Sequence, residues 1–199
     1  MTPAILREMN RVVCAGCGLQ VLPYEIMRSG SVEKGYKEVC NQCFNQEIAA
    51  ADGLTKFEHV RFAPVPLDDS AGNPHLFHFR VRLFGIGVAI DAFELREGYP
   101  FGYQFQIIAD PEDDLMVLLG LLIEKIRRAL SVKHLVQRNS SWAIADHRLV
   151  RAVIQADASR MPVLAIDGRE VSWPEFGRMI ADYEGWQLKL EIRDQSEEI

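Results

Sequence analysis

The chain has 199 residues, 48% of them hydrophobic and 25% charged, with a formal net charge of −6 at pH 7. That length supports one good core or a small module attached to a medium domain, and the composition is that of an ordinary soluble globular protein. The acidic balance argues against a protein that grips nucleic acid mainly through phosphates, and the longest apolar run, residues 115–123, is too short to span a bilayer.

The opening MTPAILREMN lacks the basic and apolar regions of a secretory signal, so a cytoplasmic chain is expected, where four cysteines serve as metal ligands rather than disulfides. Residues 1–50 hold five Lys/Arg and five Asp/Glu, so the excess negative charge lies downstream. A helical stretch ends at Ala51-Asp52-Gly53, with glycine as its C-cap. Residues 64–74 are rich in turn formers and read as a loop. Phe77, Phe79, Val81 and Leu83 alternate with His78, Arg80, Arg82 and Phe84, a half-buried strand. Residues 88–95 and 103–108 add two strands, giving a three-stranded antiparallel meander. Residues 111–136 read as one long helix, acidic at its start and basic near its end.

Residues 137–141 read as a polar connector, and 147–157 fit either helix or strand, with strand favoured by the clearer segment that follows. Residues 162–166, Asp167-Gly168 and Glu170-Val171 form a hairpin around a dipeptide that tolerates positive φ. Ser172-Trp173-Pro174-Glu175 is a capping box opening a helix to about Tyr183, which Gly185 ends. Residues 187–192 alternate as a last strand, and 195–199 read as a disordered tail.

The chemistry-bearing motif is Cys14-Ala-Gly-Cys17-Gly18, followed by Cys40-Asn-Gln-Cys43 leading into a helical pattern. Two thiolates two residues apart can grip one ion from a tight turn, and the trailing glycine lets the chain bend around sulfur. Cys14, Cys17, Cys40 and Cys43 are therefore expected to hold one structural zinc ion. Four thiolates leave no open position for water, which disfavours catalytic zinc. Knuckle, hairpin and a second pair on the first turn of a helix resemble the treble-clef zinc finger. The cysteine spacing also looks like the finger of the DksA/TraR transcription regulators, but nothing before Cys14 could form their coiled-coil hairpin. The block from Pro162 to Met179 resembles an uncharacterised bacterial family that joins a four-cysteine finger to a domain of unknown function. That resemblance implies fold and no activity.

Other constellations carry less. His75 and His78, three apart on a strand, point to opposite faces and read as a solvated pair. Asp91 and Glu94 fail as paired carboxylates for the same reason. Arg80 and Arg82 share a face with His78 and could meet a phosphate, although the wet face of a sheet explains them more simply. Asp167 and Gly168 are accounted for by turn chemistry, with Glu170 beside them. Trp173, Phe176, Tyr183 and Trp186 read as core. No phosphate-cradling loop, nucleophile elbow or metalloprotease motif appears, so no catalytic or cofactor-binding residue is expected.

The expected fold is α+β. It comprises a treble-clef-like zinc finger (1–55), an antiparallel three-stranded meander with a long helix (56–136) and a C-terminal β-hairpin–α–β unit (137–194), before the tail. The expected role is a non-enzymatic zinc-binding adaptor or regulator acting through protein contacts. Two alternatives are a nucleic-acid-binding regulator using the finger and the Arg80/Arg82 face, and an accessory subunit of an enzyme whose active site is on another chain. Cover for the long helix can come from the C-terminal unit or from a second copy, so a homodimer stands beside intramolecular packing as an open reading. Leu115, Leu119, Leu122, Ile126 and Ala129 form an apolar seam, yet the first half of that helix is apolar on every side and needs more cover than one sheet.

Overall fold

The computed structural model describes residues 11–33, 35–85 and 87–197. The N-terminal part is built on local pairing. Strands β1 (Val12–Val13) and β2 (Gln20–Val21) close the first cysteine turn, and a 3-10 turn (Pro23–Glu25) leads into the hairpin of β3 (Ile26–Ser31) and β4 (Gly35–Cys40). Helix α1 (Asn41–Asp52) starts directly after Cys40 and stops at Gly53, whose φ of 71° closes the helix as expected.

The middle of the chain is a four-stranded antiparallel sheet in the order β5-β6-β7-β8. The three expected strands are present as β6 (Pro74–Phe84), β7 (Gly87–Arg96) and β8 (Tyr99–Ala109). The segment read as a loop also contributes strand β5 (Val65–Asp68), paired with residues 74–77. Pro66 disguised it, and as an edge strand β5 tolerates a residue without an amide hydrogen. Helix α2 (Leu115–Leu130) begins at Asp114, whose carboxylate accepts from Met116 N. It lays Leu118, Leu122, Ile126 and Leu130, spaced by four, on the sheet face made by Phe77, Phe79, Val81, Leu83, Val88 and Ile90. The buried seam is thus rotated from the one expected, with Leu115, Leu119 and Ile123 on its flanks. Met116, Val117 and Leu121 remain exposed.

The long helix ends sooner than expected. After Leu130 the chain enters β9 (Leu135–Arg138), which pairs with β10 (Ser141–Ile144) across Asn139-Ser140, both at positive φ. What reads as a polar connector is therefore a hairpin turn, formed without the glycine that usually announces one. Next come β11 (Val153–Ala156), β12 (Pro162–Ile166) and β13 (Arg169–Ser172) as a three-stranded sheet, with Asp167 and Gly168 at the expected turn. Helix α3 (Trp173–Ala181) starts at Ser172, which accepts from Glu175 N. Ile166, Val171, Leu164 and Met179 form this unit's core with Phe176 and Tyr183. Trp173 and Trp186, expected inside, are 47% and 60% exposed. The last expected strand does not form: after Gly185 (φ 85°) residues 187–192 run on without pairing to any strand of the described residues. Part of the expected tail, 198–199, lies outside the described residues, while Gln195 and Glu197 offer carbonyls to Lys125.

Candidate metal centre

The four cysteines converge. Their Sγ atoms all lie within 4.8 Å of one another, and Cys17 Sγ to Cys40 Sγ is 3.8 Å. A tetrahedral zinc with metal–sulfur bonds of about 2.3 Å separates its sulfurs by about 3.8 Å, so the donor set fits such an ion. The first pair is shaped by its turn. Gly18 N donates to Cys14 O and Cys14 N to Leu19 O, which folds the loop back on itself. Gly16 passes so close to the second pair that a Cβ there would sit 3.1 Å from Cys43 Sγ. The second pair sits where β4 becomes α1: Cys40 is the N-cap and Cys43 lies in the first turn. Both face the positive end of the helix, where negative charge is favoured.

Backbone donors prepare one sulfur in particular. Cys14 Sγ accepts from Cys40 N at 3.0 Å, Gly16 N at 3.3 Å and Cys17 N at 3.5 Å. Burial opposes the thiolate, yet these amides outweigh it and lower the Cys14 thiol to about 6. Burial instead pushes Cys40 and Cys43 up, and for Cys43 the neighbouring sulfurs push the same way. Four sulfurs this close cannot all carry charge unless a cation lies among them. Cys14 and Cys40 are buried, Cys43 is half-buried and Cys17 is exposed, so the centre lies just beneath the surface.

This centre is joined to the large sheet through α1. Beyond Phe77, strand β6 has no β5 partner, and α1 takes that place. Asn45, with no exposed surface, donates through Nδ2 to Val81 O at 2.8 Å and accepts from Leu83 N at 2.9 Å. Its amide thus does the work of a missing peptide group. Asn41, between Cys40 and Cys43 of the cluster, donates to Val81 O at 2.6 Å. Sequence reasoning missed both asparagines.

The Arg80/Arg82 face is not a wet face. Asp91, on the neighbouring strand, receives Arg80 Nη2 at 3.0 Å, Arg82 Nε at 2.8 Å and Gln106 Nε2 at 2.7 Å. Burial works against the Asp91 charge, but these donors hold its pKa below the usual carboxylate range. The 3-10 turn covers the same face. Tyr24 sets its ring against His78 and Phe93, and its carbonyl accepts from Arg80 Nη1. His78 is consequently 4% exposed, not solvated, and burial lowers its pKa. His75 does diverge from it as expected, but it too has fixed partners: Nδ1 lies 2.9 Å from Glu94 Oε1, and Nε2 lies 3.4 Å from Asp69 Oδ2.

Asp69 belongs to a second polar cluster that no local motif announces. Its buried carboxylate takes Lys133 Nζ at 2.6 Å and the amides of Ala71 and Asn73. Lys133, ahead of the burial that opposes it, keeps Asp69 ionised well below the ordinary carboxylate range. Glu94 Oε2 accepts from Tyr103 N. Asp167 does more than turn a hairpin, since Oδ2 accepts from His134 N at 2.7 Å and Leu135 N at 2.8 Å. These acids are met by fixed donors and tie the C-terminal unit to the end of α2.

The chain matches three family models, each described as a domain of unknown function: DUF7685 over residues 13–55, DUF7686 over 58–131 and DUF7713 over 131–197. Together with the four-cysteine cluster, these matches fit an uncharacterised family. No curated protein and no solved structure matches the chain. Among the described residues, no helix is long and apolar enough to cross a membrane.

Proposed function

We propose that the chain is a zinc-binding adaptor or regulatory protein that acts through protein contacts and performs no chemistry of its own. The convergence of four cysteine sulfurs carries this reading, because a complete thiolate set leaves no coordination position for substrate or water. The order of cysteine turn, hairpin and helix supports a treble-clef-like finger with one structural zinc per chain. The finger's surface favours protein over phosphate. Its charges balance over residues 1–50, and it exposes Val13 and Leu19 beside the knuckle, Val32 at the hairpin tip and Tyr36. Arg80 and Arg82, the cations most suited to a phosphate, are already engaged by Asp91.

Elemental analysis of protein purified without added metal should find close to one zinc per chain, and Cys14→Ser or Cys40→Ser should lose it and unfold the finger. Loss of all metal without a change in circular dichroism or melting would show that the ion is not structural. Affinity purification from the native host should recover a protein that Val32→Asp releases. Recovery of nucleic acid instead, through binding that weakens steeply with salt, overturns the reading.

A further inference from the structure

Residues 187–192 keep a strand's pattern without a strand's partner. The segment is held at both ends. Trp186 lies under the Arg148 guanidinium and against Tyr183, and Gln195 O accepts from Lys125 Nζ at 2.8 Å. Between these anchors Lys189 Nζ lies 3.6 Å from Glu191 Oε2, and Glu191 in turn bonds Arg193. The backbone from 186 to 194 has no turn or bend, and these contacts between residues two apart fit an extended chain of period two, which puts Lys189, Glu191 and Arg193 on one face. Leu188, Leu190 and Ile192 then share the other, at 73%, 72% and 69% exposure. An extended, apolar-faced segment with unpaired backbone groups is a template for pairing with another chain.

We propose that this segment pairs with itself, forming an antiparallel ribbon across a twofold axis at Leu190 that joins two copies of the chain. The occupant is fixed by charge. In the Leu190-centred register, Leu190 faces Leu190, Leu188 faces Ile192, and Lys189 faces Glu191 twice, once on each side of the axis. Centring on Lys189 sets two lysines against each other. Centring on Glu191 opposes two glutamates and sets Lys189 against Arg193. Only the Leu190 register spans the whole segment with opposite charges facing. A two-stranded ribbon alone is marginal, and its apolar face needs cover. On α2, Lys125 continues the row of Val117 and Leu121, both exposed, so the anchor on Gln195 brings the ribbon to an uncovered apolar row.

Light scattering coupled to size exclusion tests this on the full chain at tens of micromolar. The parent chain should run at twice its 22.6 kDa mass. Lys189→Glu and Glu191→Lys should each weaken dimerisation by about tenfold or more, and the double exchange should restore it, because each new charge then faces its opposite. Leu190→Cys should cross-link to itself on mild oxidation, since facing residues in an antiparallel pair lie within disulfide reach. Ile192→Cys, which faces Leu188, should not. A monomeric parent chain overturns the proposal. So does a dimer indifferent to either single reversal, a double variant that stays monomeric, or equal cross-linking at both cysteine positions. Leu190 and Ile192 are exposed and the charge exchanges lie on the same exposed segment, so no variant should unfold the chain, and circular dichroism should change by no more than the loss of the ribbon.

Discussion

Asn45 shows how far a single side chain can be from its sequence context. In the run Phe44-Asn45-Gln46 it looks like an indifferent helix residue, yet it bonds both Val81 and Leu83 at no exposed surface. Asn45→Ala should cost about 1–3 kcal/mol in chemical denaturation, the penalty for a buried amide hydrogen left without an acceptor. Val81 O keeps Asn41, while Leu83 N is orphaned and His59 Nδ1 loses its contact with the Asn45 amide. A loss indistinguishable from zero would show that water replaces the amide. The convergence of the four cysteines was legible because two local spacings mark it. The asparagines were not, because their backbone partners lie 36 to 40 residues away and no local pattern marks them.

Elements were legible where the pattern and its partner are both local. The β3–β4 hairpin, the β12–β13 hairpin and the capped start of α3 follow from turn residues and caps within a few positions. Strand β5 was hidden by Pro66, and β10 by a turn of Asn139-Ser140 that carries positive φ without glycine. The reverse holds at 187–192, where alternation reads as a strand although a ladder within the chain needs an edge to receive it. The covered Arg80/Arg82 face has the same origin, since periodicity cannot say that Tyr24 crosses it. The docking of α1 on β6 also links the cysteine cluster to the sheet. Cys40 and Cys43 bracket Asn41, and Asn45 follows half a turn later. Chelating the metal should therefore raise amide hydrogen exchange at Leu83, whose proton goes to Asn45, while Ile90 at the centre of the sheet stays protected. Unchanged protection at Leu83 would show that α1 holds the edge without the ion.

Across the whole molecule, the buried histidines set how stability answers to pH. Burial lowers the pKa of His78, and it is the largest cause of lowering for His59, helped by Arg61, and for His134. Each of these is neutral in the folded chain and gains a proton more readily when unfolded. Its contribution is full above the ordinary histidine value of about 6.5 and declines as pH falls below it. His75 runs the other way. Glu94 first, and Asp69 after it, raise its pKa against burial and the nearby Lys133. Its contribution is full below about 6.5 and lost as pH rises through the raised value. Tyr103 packs edge-on against the same ring but does not reverse that sign. The three lowered histidines push the melting temperature down as pH falls from about 7.5 to 5.5, and His75 opposes them. Acid also protonates the cysteines and releases any metal they hold, so the test compares two proteins that share the finger. His75→Gln removes the one histidine that resists the fall, and should steepen the loss over that window relative to the parent chain. An equal or shallower slope in the variant would mean that the Glu94 and Asp69 contacts do not favour a charged imidazole.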